Sequence, residues 1–273
     1  MSYKSILVNI GIDGPMAPIV KLAIDLATRH DARLVGLCAA DAPLPMTGPE
    51  AGAMAAEVWQ QLKDEIGERQ KQLHAEFDRL VAGSVEAGWR AELDNPTRAL
   101  ARASRLADLV LVAAPQGAAS GNAFRVADPG SAVLQAGRPM LVVAEGAEHV
   151  LGKTVVVAWK DTREARRAIA DAIPLMQPAN EVIVVSVDAQ PDDWIRAGAD
   201  DVVAYLACHG IKARTEVIKA SDERESLTRF VTSCRADLVV SGAYGHSRLR
   251  EWVFGGVTRS LLDTPGLNRF MSS

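Results

Sequence analysis

The sequence predicts an α/β protein built as two similar halves, each a parallel sheet wound with helices. Three observations carry this. Short apolar, β-branched runs alternate with helix-length segments along the whole chain, the rhythm of strand–helix–strand units. The runs Lys4-Ser5-Ile6-Leu7-Val8-Asn9-Ile10 and Lys153-Thr154-Val155-Val156-Val157-Ala158-Trp159 open the two halves, and each is nearly continuous in apolar residues, as a strand covered on both faces must be. The tetrapeptide Ala-Asp-Leu-Val then occurs twice, at 107–110 and 236–239, each time leading another apolar run.

In the first half, strands are expected over 4–10, 33–39, 89–92, 108–113 and 139–143, with helices between them. The long helix over 56–82 places Val58, Leu62, Ile66, Leu73, Phe77 and Leu80 on one stripe, and its many charges form the solvated face. The two copies lie closer together at Ala-Asp-Leu-Val than at the opening strands, so the first half carries an extra segment. Asp41–Met54, rich in Pro, Gly and Ala, is the expected insertion, with an extended helix after it. A polar, glycine-bounded linker, Glu145–Gly152, follows, giving halves of 1–146 and 152–273. In the second half, strands are expected over 154–159, 181–187, 212–217, 236–241 and 267–271, and helices over 162–174, 194–209, 222–234 and 256–264. Asp161 with Glu164 three residues on reads as a helix start, and Gly210 as a helix stop.

Composition narrows the function classes. With 48% hydrophobic and 23% charged residues the chain has the balance of a folded globular protein. A net charge of −4 supplies no basic stripe, which argues against nucleic acid and anionic membranes as partners. No window reaches the ~18 consecutive apolar residues of a membrane helix, and the opening apolar run is too short for a signal peptide. Cys38, Cys208 and Cys234 show neither a disulfide framework nor a metal-binding pair and are expected as buried small hydrophobes. The expected compartment is the reducing cytoplasm.

One segment has the chemistry of a site. The strand ending at Ser241 runs into Gly242 and Gly245, and Gly255-Gly256-Val257-Thr258 then opens the next helix. Backbone amides can hold a phosphate only where no Cβ intrudes and positive φ is free, which glycine allows. A helix N-terminus adds unpaired N–H groups and the positive end of its dipole. Two glycines that merely turn the chain after a strand are the alternative. The catalytic inventory is thin: His246 alone among five histidines falls in this loop, no nucleophile–base pair is evident, and phosphate-binding GxxxxGK[ST], HExxH and GxSxG motifs are absent.

The spacing G-x2-G-x9-G followed by a small residue resembles the ATP-binding loop of the universal stress proteins, and the internal repeat resembles their tandem branch. The resemblance implies two Rossmann-like (adenine nucleotide α-hydrolase-like) units, each a five-stranded parallel sheet in order 3-2-1-4-5 flanked by helices. It implies that ATP or AMP, with or without magnesium, is bound in the second half where the first and fourth strands diverge. Gly242, Gly245 and Gly255, with the amides of Gly256, Val257 and Thr258, would then follow ribose and phosphates, and the backbone of Val187 would meet adenine. It also implies a pseudo-dimer of the halves through their last strands, leaves a homodimer open, and suggests a stress-response role of sensing or signalling with at most slow ATP hydrolysis. Two positions depart from the pattern. Gly256 stands where a hydroxyl residue is usual, with Thr258 two residues on. Lys160 stands where an acid is usual, with Asp161 beside it; Asp161 either substitutes or caps the helix, and Lys160 either meets phosphate or points into water.

The first half lacks the loop, reading Ala113-Ala114-Pro115-Gln116 and Asp128-Pro129 at the corresponding places. Proline removes an N–H and aspartate repels phosphate. Two rival readings stand beside nucleotide binding. One is an interaction protein of the same fold that no longer binds nucleotide. The other is an ATP-using adenylating enzyme, against which the missing SGGxDS and HxGH motifs count.

Overall fold

The computed structural model describes residues 2–43, 52–114, 122–144, 147, 152–243, 261 and 266–273. The first half runs β1 (Ser5–Asn9), α1 (Ala17–His30), β2 (Arg33–Ala40), α2 (Gly52–Val81), β3 (Ala87–Leu93), α3 (Pro96–Ala103), β4 (Leu109–Ala113), α4 (Pro129–Ala136) and β5 (Met140–Val143). The second runs β6 (Thr154–Ala158), α5 (Arg163–Met176), β7 (Glu181–Asp188), α6 (Asp193–Cys208), β8 (Ala213–Lys219), α7 (Glu223–Ser233), β9 (Leu238–Gly242) and β10 (Asn268–Ser272). The helix expected over 256–264 falls outside the described residues except at Leu261, which is helical and buried.

All ten strands form one sheet, in the order β3-β2-β1-β4-β5-β10-β9-β6-β7-β8. Each half therefore has the order 3-2-1-4-5 with parallel neighbours. The halves join where β5 and β10 pair antiparallel, Leu141 opposite Phe270. Alternation along the strands builds the two layers. Ile6, Val8, Val155 and Val157 face the side of α1, α2, α5 and α6, while Leu7 and Val156 face the side of α3, α4 and α7.

The repeated Ala-Asp-Leu-Val is explained at the N-terminal ends of the strands, in each half separately. Asp108 accepts from the backbone N–H groups of Lys4 (2.7 Å) and Ser5 (3.1 Å), and Asp237 accepts from that of Lys153 (2.9 Å). Each aspartate ties the start of a fourth strand to the start of a first. The repeat is therefore structural and stands at the opposite end from the strand tips.

The extended helix expected after the insertion is present: α2 has 30 residues against 16 in α6, and it begins at Gly52, a few residues earlier than expected. Although Asn268 and Arg269 interrupt the apolar run of the last strand, every residue of β10 is buried. Asn268 accepts from Ala144 N–H (2.9 Å) and donates to Asp237 C=O (3.1 Å), stitching the seam with its side chain. Cys38 is buried as expected, but Cys208 is exposed, on the solvent side of the last turn of α6.

Candidate functional site

In the second half β6 has β7 on one side and β9 on the other, all parallel, so their C-terminal ends stand together. The connection from β6 runs by α5 to β7, whereas β9 is reached only after β8 and α7. Successive connections thus leave β6 in opposite directions, the arrangement that opens a crevice at a topological switch point. Lys160 and Asp161 follow β6, Val187 lies near the end of β7, and Gly242 closes β9. The sheet brings these four to one edge. Gly245, Gly255, Gly256, Val257 and Thr258, with His246 and Glu251, lie outside the described residues.

Asp161 is not the helix cap. Thr162 is: its extended backbone (φ −128°, ψ 158°) aims Oγ1 at the N–H of Ala165, 3.2 Å away. A hydroxyl one residue nearer the first turn reaches an amide that the Asp161 carboxylate does not. Asp161 instead accepts from Arg166 Nε at 2.9 Å. Lys160, with its side chain about half exposed, pairs with α7: its Nζ lies 2.8 Å from Glu223 Oε1, in the first turn of that helix. The carboxyl of Glu164 sits below its ordinary range because it accepts from its own backbone N–H, with Arg163 beside it. The first turn of α5 is thereby supplied with acceptors by the protein itself.

Gly242 has a packing reason to be glycine. A Cβ there would stand 2.6 Å from Ala165 N and 2.8 Å from the carbonyl carbon of Glu164. The end of β9 lies directly against the first turn of α5, backbone to backbone. One residue earlier, the Ser241 hydroxyl is buried with no hydrogen-bond partner among the described residues. The sequence reading passed over Thr162 and Ser241. A hydroxyl residue just before an apolar-periodic stretch signalled the first, whereas nothing local distinguishes Ser241 from any serine ending a strand.

The corresponding edge of the first half is closed by its own side chains. Asp13, after β1, accepts from Arg125 Nε at 2.6 Å and Nη2 at 2.7 Å. Asp128 caps α4 by accepting from Ser131 N–H at 2.9 Å, with Pro129 following. The segment between is tied down by Asp41 N–H to Phe124 C=O (2.7 Å) and by the Asn95 amide to Ala123 C=O (3.1 Å). A carboxylate thus stands at the helix start that would otherwise offer its amides to an anion.

Among solved structures, a universal stress protein from Archaeoglobus fulgidus DSM 4304 matches with a TM-score of 0.76, covering 98% of this chain and 96% of that one at 12% identity. The fold is that of the universal stress proteins. A protein from Pseudomonas aeruginosa UCBPP-PA14 assigned to the universal stress proteins matches at a TM-score of 0.63 and 17% identity over 98% of this chain and 92% of that one. A functionally unknown protein from Pseudomonas aeruginosa PAO1 matches at 0.61 and 16% identity with the same coverages. No family model and no curated protein matches the sequence. The universal stress fold accounts for the strand order within each half, and both halves of the chain carry it. No helix among the described residues is long and apolar enough to cross a membrane.

Proposed function

We propose that the second half binds an adenine nucleotide, ATP or AMP, at the ends of β6, β7 and β9, and that the protein senses or signals nucleotide state in a cytoplasmic stress response. The observation that carries the reading is the asymmetry of the halves. The first closes its strand-end edge with Asp13–Arg125 and the Asp128 cap. The second follows its fourth strand with a glycine spacing suited to phosphate. Ser241, a buried hydroxyl at the end of β9, supplies a polar atom suited to a ligand or to the following loop. Gly245, Gly255 and the amides of Gly256, Val257 and Thr258 are the proposed phosphate contacts, and the backbone of Val187 the adenine contact. Each bond to a charged phosphate oxygen contributes roughly 1.5–3 kcal/mol, so three or four such bonds with base burial reach the ~8 kcal/mol of micromolar binding.

The rival interaction-protein reading has an observation of its own: Gly242, Lys160 and Asp161 are all accounted for by contacts within the protein. Calorimetry with ATP and AMP separates the two. Gly245→Val should abolish binding and Ala114→Val, in the corresponding segment of the first half, should preserve it. Equal loss in both variants, or no binding by the parent, would favour the interaction protein. Mass spectrometry of ligand released on denaturing freshly purified protein would identify the nucleotide.

A further inference from the structure

A second cavity of the second half lies between α5 and α6 and has a volume of about 390 Å3, within the ~300–1,000 Å3 usual for small-molecule sites. α6 forms one wall with residues spaced to share a single helix face. Trp194 stands in its first turn and Tyr205 near its last, with Ala197 and Gly198 between them as a low floor. Trp159, Arg166 and Ile169 form the facing wall. A saddle of this shape, large at both ends and small in the middle, accepts an elongated body.

Two features of the saddle are not demanded by folding. Trp194 is 74% exposed, a large apolar ring held at the rim rather than in the core. Gly198 lies inside a helix, where it is less favourable than alanine, and a Cβ there would meet only Trp159 Nε1, at an ordinary 3.6 Å. Among the described residues the first half is built differently here. Ile10, in the place of Trp159, is buried, and α2 sends Leu73 and Phe77 into the core.

The charge of the lining selects among occupants. Asp161 is held by Arg166, while Asp201, the other carboxylate of the lining, has no second cation to balance it among the described lining residues. Aromatic faces attract cations through the ring quadrupole, and an unbalanced carboxylate repels anions. The geometry points to a site between α5 and α6 for a small organic cation with an apolar body, its charge set against Asp201 and the rings of Trp159, Trp194 and Tyr205. This site shares only Asp161 with the strand-end edge and does not depend on nucleotide binding.

The test uses the full chain and three probes with a similar phenylalkyl body: phenethyltrimethylammonium, neutral 2-phenylethanol and anionic 3-phenylpropionate, titrated by calorimetry and ligand-observed NMR. The cation should bind about tenfold or more tightly than either analogue, and Asp201→Asn should remove most of that preference. Gly198→Leu, filling the floor, should abolish binding while circular dichroism is retained. Trp194→Ala, at an exposed position that does not threaten folding, should weaken binding about fivefold. ATP should not displace the cation. Equal binding of all three probes, no binding of the cation at millimolar concentration, displacement by ATP, or binding unchanged in both Gly198→Leu and Trp194→Ala would overturn the proposal.

Discussion

Two glycines of the second half should respond to the same substitution with opposite signs, because one is hemmed in by backbone and the other is not. In Gly242→Ala the new methyl would lie 2.6 Å from Ala165 N and 2.8 Å from Glu164 C, about 1 Å inside the distance at which such atoms attract. Neither neighbour is a side chain that can swing away, so either the first turn of α5 or the end of β9 must move. Overpacking of this kind costs about 1–3 kcal/mol, and two backbone contacts place the expectation in the upper part of that range. In Gly198→Ala the new methyl meets only Trp159 Nε1 at 3.6 Å, so the helix gains about 0.5–1 kcal/mol from the alanine. Urea unfolding followed by far-ultraviolet circular dichroism reads both against the parent. A Gly242→Ala midpoint within the equivalent of about 0.5 kcal/mol of the parent, the scatter of neutral surface changes, would refute the close approach of β9 and α5. A destabilised Gly198→Ala would refute the openness of the α5–α6 floor.

Asn268→Ala, which strips a buried acceptor from Ala144 N–H and a donor from Asp237 C=O, should cost about 1–3 kcal/mol in the same assay. Asp94 is held at about 2, below its ordinary 3.8, first by its hydrogen bond to Arg98 and also by Arg102. The lowered value means that its stabilisation is complete above 3.8 and is lost as the pH falls through about 2. Asp94→Asn should therefore flatten the acid limb of the stability–pH profile in that window; an unchanged limb would contradict the pairing. ATP turnover should fall below ~1 per second, since Asp161 is engaged by Arg166. Phosphate release at ordinary enzyme rates with magnesium or manganese, lost in Asp161→Asn or His246→Ala, would argue for an ATPase.

The halves, strand positions and helix faces were legible because they rest on periodic burial, which sequence records directly: Ile6 and Val8 against Leu7 is enough to assign two faces. The seam was harder. Asn268 reads as an interruption in a list of residues, and only the positions of Ala144 and Asp237 reveal that its amide completes the pairing. The strand-end edge was harder still. Lys160 and Asp161 were read against an expected ligand, yet their partners are Glu223, 63 residues away, and Arg166, five residues away. Thr162 offers the converse case, a cap that local sequence does indicate but that a neighbouring aspartate concealed. The α5–α6 cavity left no signature that a sequence motif could carry, because a low floor is made by Ala197 and Gly198 only when a facing wall exists.

Within each half the two ends of the strands have diverged to different degrees, and the physical reason follows from what each end must do. At the N-terminal strand ends of each half Asp108 and Asp237 perform one task, accepting from amides where a first strand begins; those strand starts recur in both halves, so the same tetrapeptide serves twice. At the C-terminal edge the first half meets the same demand internally, with Asp128 on the helix amides and Arg125 on Asp13. That closure stabilises the half without any ligand and removes the exposed amides that a phosphate would use. In the second half the α5 start is likewise satisfied by Thr162, while Ser241 keeps a buried hydroxyl with no partner among the described residues. A polar group of that kind is costly unless something completes it.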